Sequence, residues 1–385
     1  MNILVVPLFA LSRMGGPWSR AQSVARAFVA AGHHVVLGLA DDGNCLNPCT
    51  ADVLELPVPS PLGLPMAIAS RTFPIAEKLG ISGRKPVRSF EEVLWLTGAL
   101  AHDYERRSVV AIGEQLVARR IDAVYSEFSI PAIIAARMVG VPVFGSFSYT
   151  TQASFASNPE KAGGVRKLLD ELHLPDIASS LDLFGWLDKL FVPSCRALEP
   201  IDDGRVKYVG FMNEPPPLGS MVRDCILVYL GSGSVPRSMV ERIVTDAFHD
   251  FGGDVFVAGC KQERRVANVR FAPRFDFSEL LPRACCFVNH GGQNSVMDAL
   301  AYAVPQVVVS GRVFERIYNA ESVERAGAGV VLERFEAAAL ARACTRIAKD
   351  PAFGAAAVTL RDELARCGGA SAIVSSIESA LSAGS

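Results

Sequence analysis

The sequence predicts an α/β protein made of two Rossmann-like domains facing across a cleft, each a parallel sheet covered by helices. Three observations carry this expectation. Short continuous apolar runs alternate with helix-patterned stretches, which is how strands buried on both faces read when helices connect them. The rhythm is broken by a stiff proline-rich stretch, NEPPPLG at 213–219, and then restarts. The chain has 385 residues, half of them hydrophobic, with a mean hydropathy of +0.27; that is enough chain for two cores.

The first elements are explicit. Ile3–Val6 is a continuous apolar run and reads as a buried strand. A Gly-containing loop, Ser12–Trp18, follows. Ala21–Ala31 places Val24, Ala25, Phe28 and Val29 at helical spacing, and Gly32 stands at the C-cap. Val35–Leu39 completes a βαβ unit. The pattern continues as helix Val109–Arg119, strand Ala123–Tyr125, helix Pro131–Val139 closed by Gly140, and strand Val143–Phe147.

Two stretches interrupt it. Leu56–Pro65 is too rich in proline for regular structure. Residues 155–190 hold a charged helix and then LHLPDIASSLDLFGWLDKL. Beyond the linker come strand Cys225–Leu230, a Gly/Ser turn, helix Met239–Phe251, strands Val255–Ala258 and Cys286–Val288, helix Ser295–Tyr302 and strand Gln306–Val309. The predicted domains are therefore 1–212 and 221–360, joined by 213–220, with 361–385 a terminal helix able to pack back on the first domain. A ligand is expected at the carboxyl ends of the two sheets.

Composition narrows the function. The net charge of −2 gives no basic surface for nucleic acid. The nine cysteines are irregularly spaced. Cys45 and Cys49 lack a second pair to complete a zinc site, so free thiols in a reducing cytosol are expected. The start, MNILVVPLFAL, reads as a strand rather than a signal peptide. No run of ~18 apolar residues suggests a membrane span.

The informative stretch is 287–309, FVNHGGQNSVMDALAYAVPQVVV. Gly291 and Gly292 allow a close backbone approach to a ligand. Asn294 and Ser295 are able to cap the next helix or to donate to a ligand. A helix N-terminus attracts phosphate. His290 has two readings at this level, a turn histidine with its bonds satisfied or a donor to the same anion. LGSGS at 230–234 lacks the third glycine of a dinucleotide fingerprint and any GKS/T, so it reads as a tight turn or an assisting loop.

FAPR (271–274), HGGQNSVMD (290–298), AVP (303–305), ERIYNA (315–320) and GAG (327–329) together resemble, in order and spacing, the donor signature of GT-B glycosyltransferases, chiefly family 1 and its bacterial natural-product relatives that use UDP- or dTDP-sugars. FVPS (191–194) and YVGF (208–211) extend the resemblance along the chain. It implies an inverting, metal-independent transfer from a nucleoside-diphosphate sugar, a co-substrate rather than a cofactor, to a small-molecule acceptor. Phe271 and Arg274 would lie beside the base. His290, Gly291, Gly292, Asn294 and Ser295 would cradle the diphosphate, with Ser234 assisting, and the cradle would be cationic. Asp298 would take the ribose hydroxyls and Glu315 the sugar hydroxyls. Arg316, where the family has Gln, would pair with Glu315 or meet an acidic sugar. No D-x-D triplet occurs, so the helix terminus and His290 would stand in for a metal ion.

The chain departs from the family near Pro17 and Trp18, where the resemblance places acceptor contacts and a proton-abstracting histidine. GGPWSR carries no histidine. Glu127, at the strand end where the family has an Asp, is the candidate replacement base, and an acceptor needing no base is the other option. A sugar-nucleotide hydrolase or epimerase, a non-catalytic partner protein and a homodimer are all compatible with these residues.

Overall fold

A computed structural model describes residues 1–11, 15–50, 52–64, 68, 86–219, 222–231 and 235–383. Among them the chain divides into two compact units. One takes Met1–Pro74, Arg88–Glu214 and Cys367–Ser385; the other takes Ile75–Val87 and Pro215–Arg366.

The first unit is a seven-stranded sheet in the order β3-β2-β1-β4-β5-β6-β7, parallel throughout. Its strands are β1 (Asn2–Pro7), β2 (His34–Leu39), β3 (Val53–Glu55), β4 (Ala123–Glu127), β5 (Val143–Ser146), β6 (Lys189–Val192) and β7 (Val206–Tyr208). The apolar run of β1 serves two cores at once. Leu4 and Val6 pack on one face with Val36, Ile112 and Ile133; Ile3 and Val5 pack on the other with Trp18, Phe28 and Ile377. Alternate side chains leave a strand on opposite faces, so a doubly covered strand has to be apolar throughout.

One element differs from expectation. The helix after β1 starts at Gly15 and runs to Ala30, so the expected 12–18 loop is shorter than its sequence suggests. The last helix, Gly369–Ala383, belongs to the first unit, where it packs against Gly15–Ala30 through Ile373, Val374 and Ile377. Glu378 there meets His33 Nε2 at 2.8 Å. The preceding helix, Pro351–Arg366, stays with the second unit.

The second unit repeats the architecture with the order β10-β11-β9-β8-β12-β13-β14. The strands are β8 (Cys225–Tyr229), β9 (Asp254–Ala258), β10 (Arg264–Val266), β11 (Val269–Ala272), β12 (Ala284–Asn289), β13 (Gln306–Val308) and β14 (Gly329–Val331). Only the β10–β11 edge is antiparallel. Val87 joins this unit. Its N–H donates to the Arg312 carbonyl at 3.1 Å, and its own carbonyl accepts from Phe314 N–H at 3.0 Å.

One core residue of the first unit breaks the usual rule for buried charge. Glu105, on helix His102–Ala118, is wholly buried, and neither carboxyl oxygen has a hydrogen-bond partner. Burial pushes its pKa well above the usual carboxylate range. The folded pKa exceeds the unfolded one, so folding takes up a proton. The resulting penalty is absent in acid and grows as pH rises above the unfolded value of ~4.3. Glu105→Leu is therefore expected to raise Tm, with a gain that widens from about pH 5 to about pH 8. Melting curves across that range check this; a variant less stable at the alkaline end would contradict it.

Candidate donor-binding site

The site grows from the three central strands of the second unit, whose parallel register brings their carboxyl ends side by side. Phe287–Asn289 of β12 pair with Leu227–Tyr229 of β8 and with Gln306–Val308 of β13. The chain leaves β12 at Asn289, which is fully buried. Its Oδ1 accepts the Gly291 N–H at 2.8 Å, and its Nδ2 donates to Gln306 Oε1 at 2.8 Å. From the other side, Asn319 Nδ2 donates to the Gly291 carbonyl at 2.8 Å. Three amide side chains thus hold one turn.

The glycines are required by contact. Gly291 has φ +79°, and a Cβ there would lie 2.7 Å from the Arg316 carbonyl oxygen. A Cβ on Gly292 would lie 2.7 Å from His290 Nε2, and one on Gly231 would lie 3.2 Å from the same ring. The imidazole therefore lies between two glycines, with Tyr229 edge-on at 5.7 Å. Gly292 is also the N-cap of helix Gln293–Ala301 and has no side chain to cap it. Asn294 and Ser295 sit inside the first turn, so the expectation that either is the cap is corrected. No side-chain cap closes this helix at Gly292, and a helix N-terminus is the end that favours an anion.

His290 is nearly buried, and its Nδ1 makes no hydrogen bond among the described residues. Burial, aided by the nearby Arg316 guanidinium, pushes its pKa down to about 4, while the Tyr229 main chain acts in the opposite direction. The ring is neutral at neutral pH, so the histidine does not itself make the cradle cationic. The local positive charge belongs to Arg316 and the helix terminus. Burial lowers the Arg316 pKa and the charge of Glu315 raises it; a guanidinium stays protonated in either case.

Asp298 lies on the same helix. Its surface is open to solvent, yet protein atoms surround the carboxyl closely enough to raise its pKa to about 6. An open but crowded carboxyl is what a concave wall produces. Arg274 is exposed in the loop after β11. Phe271 is a correction. It lies inside β11 at 1% exposure, with the Arg264 guanidinium 4.4 Å from its ring centre, and offers no open face to a base. Ser234 lies outside the described residues. Tyr229 and Asn319, which hold the ring and the turn, carried no sequence expectation beyond the NA of ERIYNA.

Acceptor-side expectations in the first unit change more. Trp18 is buried at 6%, donating from Nε1 to the Leu46 carbonyl at 3.0 Å, so it is a core residue of the helix. Pro17 is half-buried in the first turn of that helix. Glu127 is wholly buried and does not present a free oxygen. Arg20 Nε donates to Oε1 at 2.7 Å, and Ser146 Oγ donates to Oε2. Separately, a cavity of about 830 Å³ opens in this unit, lined by Leu11, Pro57, Val58, Leu64, Tyr104 and Arg107 among others. Asp41, His102, Asp103 and Lys167 share the lining, so its walls are as polar as they are apolar.

Comparison with known proteins bears on the fold. Residues 245–379 match the family described as erythromycin biosynthesis protein CIII-like, C-terminal domain. The glycosyltransferase of kitacinnamycin superposes over 98% of both chains with a TM-score of 0.73 at 18% identity. The calicheamicin glycosyltransferase CalG4 gives 0.71 at 18% identity, covering 99% of this chain and 98% of that one.

The chain has the GT-B glycosyltransferase fold.

Among sequence relatives, the aclacinomycin-T 2-deoxy-L-fucose transferase of Streptomyces galilaeus is 30% identical over 42% of this chain and 38% of its own. The L-demethylnoviosyl transferase of Streptomyces niveus is 31% identical over 38% and 41%. The matches thus span about two-fifths of those relatives' length. Within the GT-B frame, His290 lies in the matched domain. None of the described helices is long and apolar enough to cross a membrane.

The low His290 pKa has a measurable consequence. The ring's ordinary pKa is 6.5, so folding expels a proton. The stability due to the neutral ring is present above that value and is lost as pH falls towards 4. A diphosphate bound against the ring would raise its pKa again. Nucleoside diphosphate binding near pH 5.5 should therefore take up more protons in the wild type than in His290→Gln. Calorimetry in buffers of different ionisation enthalpy measures the difference, and equal uptake would remove the ring from the anion.

Proposed function

We propose that the chain is an inverting glycosyltransferase that moves a sugar from a nucleoside diphosphate to a small-molecule, natural-product-type acceptor. The observation that carries it is the turn at 290–292. A buried histidine nitrogen without a partner, two glycines with no room for a side chain and an uncapped helix converge on one small volume. A diphosphate supplies what each of them lacks. It accepts from the imidazole N–H and the first-turn N–H groups, and it fits where only glycine leaves the backbone accessible.

In this reading the second unit holds the donor. His290 and the helix terminus stabilise charge as it develops on the departing diphosphate, the place where preorganised donors lower a barrier most. Arg316 adds a fixed positive charge. Asp298 takes ribose hydroxyls, and Glu315, one residue before Arg316, takes hydroxyls of the sugar. Relatives named as transferases of deoxy-fucose and demethylnoviose support a donor that carries a deoxy or modified sugar. The bond to the acceptor forms at the anomeric carbon as the phosphate oxygen leaves with its electron pair.

Sugar-nucleotide assays test this directly. Wild-type protein should be stabilised by UDP or dTDP and by their sugars, by ~2.7 kcal/mol at 100 times the dissociation constant. Glu315→Ala should leave free nucleotide affinity nearly unchanged while reducing discrimination among donor sugars. Equal loss of affinity for nucleotide and sugar nucleotide would place Glu315 away from the sugar. Absence of any nucleotide stabilisation in the wild type would overturn the proposed function.

A further inference from the structure

The cavity in the first unit stands at the carboxyl end of its sheet. One wall is the chain leaving β1, β2 and β3 past their last residues, through Leu11, Asp41 and Val58. The other is the start of helix His102–Ala118, with Lys167 of helix Gly163–Glu171 beside it. Helix His102–Ala118 ends next to the first residue of β1, where Asn2 Nδ2 donates to the carbonyls of Arg119 and Arg120 at 3.3 and 3.1 Å. Its first turn therefore lies towards the other end of that strand, the end at which parallel sheets bind ligands.

His102 opens this helix, lines the cavity and has a side chain 18% exposed. Its Nε2 lies 3.0 Å from Glu171 Oε2, and Glu171 Oε1 lies 3.9 Å from Lys167 Nζ. The two helices come this close because residue 164 is glycine; a Cβ there would lie 2.9 Å from the His102 main-chain nitrogen. A carboxylate accepts only from a protonated nitrogen, so Glu171 holds the proton of a neutral ring on Nε2 and leaves the lone pair on Nδ1. Nδ1 lies 3.3 Å from Oδ1 of Asp103, whose side chain is 95% exposed. The ring bonds both carboxylates only as imidazolium. A neutral ring keeps Glu171 and releases Asp103 into water, where an exposed pair costs little to break.

A base for a hydroxyl group works best when it titrates near the working pH, and imidazole is the side chain that does so between pH 5 and 8. Asp41 and Asp103 also line the cavity and are exposed, but aspartate is by nature a weaker base. Arg107 and Lys167 are cations with no lone pair to offer. We infer that His102 is the general base for a hydroxyl acceptor held in this cavity, with Glu171 its positioning residue. This rests on the transfer reading and deepens it. The hydroxyl proton passes to Nδ1, and the O–H electron pair forms the bond to the anomeric carbon. The bond from that carbon to the diphosphate breaks with its pair on the phosphate oxygen. The ring is left as imidazolium between Glu171 and Asp103, and its proton returns to water on the exposed Asp103 side. GGPWSR then needs no histidine of its own.

The test gives the full-length protein a UDP- or dTDP-sugar shown to bind it and a panel of phenols and aliphatic alcohols, with products read by mass spectrometry. The wild-type rate should fall in acid as the base becomes protonated. His102→Gln should lower kcat by about 10²-fold or more and remove that acidic limb, with nucleotide stabilisation unchanged. Imidazole added to His102→Ala should restore part of the rate. Glu171→Gln should lower kcat with little change in acceptor KM, and it should move the limb to lower pH, because a carboxylate that favours the imidazolium is gone. Melting curves on each variant separate loss of fold from loss of function. An unchanged limb in His102→Gln, or a limb abolished by Asp41→Asn instead, would overturn this inference and leave the transferase reading standing. A bound sugar nucleotide with no product from any hydroxyl acceptor would count against both.

Discussion

Everything at the candidate donor site depends on one constraint: a histidine ring has to fit against the α-carbons of two glycines at the end of a buried strand. The contacts leave no freedom. A methyl group at Gly292 would touch Nε2, and one at Gly291 would run into the Arg316 carbonyl. The turn cannot simply relax, because Asn289 and Asn319 grip Gly291 from its N–H and its carbonyl. Those amides in turn tie β12 to β13 and to helix Phe314–Arg325. The ring position is thus set by the packing of the sheet, and the helix terminus beside it is positioned by the same bonds. A site held by strands and helices in this way keeps its geometry before ligand arrives.

Three wholly buried glutamates in the first unit, Glu91, Glu105 and Glu127, show how differently one side chain is treated by its surroundings. Glu91 accepts from Asn158 N–H at 2.7 Å, Ser180 N–H at 2.6 Å and the hydroxyls of Ser179 and Ser180 at 3.0 and 2.9 Å. Those four hydrogen bonds tie helix Phe90–Thr97 to residues on either side of helix Gly163–Glu171. Glu127 is satisfied by a cation and a hydroxyl. Among the described residues neither oxygen of Glu105 has a hydrogen-bond partner, and burial raises its pKa. The first two organise segments that carry little regular structure or that face the sheet's carboxyl end. The third does neither, so its cost is not repaid by any visible bond.

The sequence made the sheets legible because doubly buried strands have to be apolar throughout, as Ile3–Val6 and Cys225–Leu230 are. It hid the three-residue edge strands β3, β7, β10 and β14, which carry too few residues for any period to show. Pro17 and Trp18 were misplaced for a related reason. Glycines at 15 and 16 suggested a loop, but Pro17 suits a helix's first turn and Trp18 fills the core beneath it. The donor signature was legible because HGG has a steric reason to be HGG. Phe271 was not, because FAPR lies at a strand end and only the pleat decides that its ring turns inward. The Arg20–Glu127 pair was half legible: the carboxylate stood at a suspicious strand end, and its partner lay 107 residues away along the chain.

The neutrality of His290 bears on how such a site works without a metal ion. A permanently charged imidazole beside Arg316 would hold the product diphosphate as strongly as the transition state, and tight product slows release. A ring kept neutral by burial responds instead to charge on the ligand. In the proposed transfer, negative charge moving onto the leaving oxygen would strengthen the ring's N–H bond to it, so the interaction would be largest where the barrier is highest. On departure of a diphosphate, burial and Arg316 would return the ring to its neutral form. On that reading the desolvation that makes a buried cation costly would favour turnover, and the glycines that bury the ring would matter to the chemistry as much as the histidine.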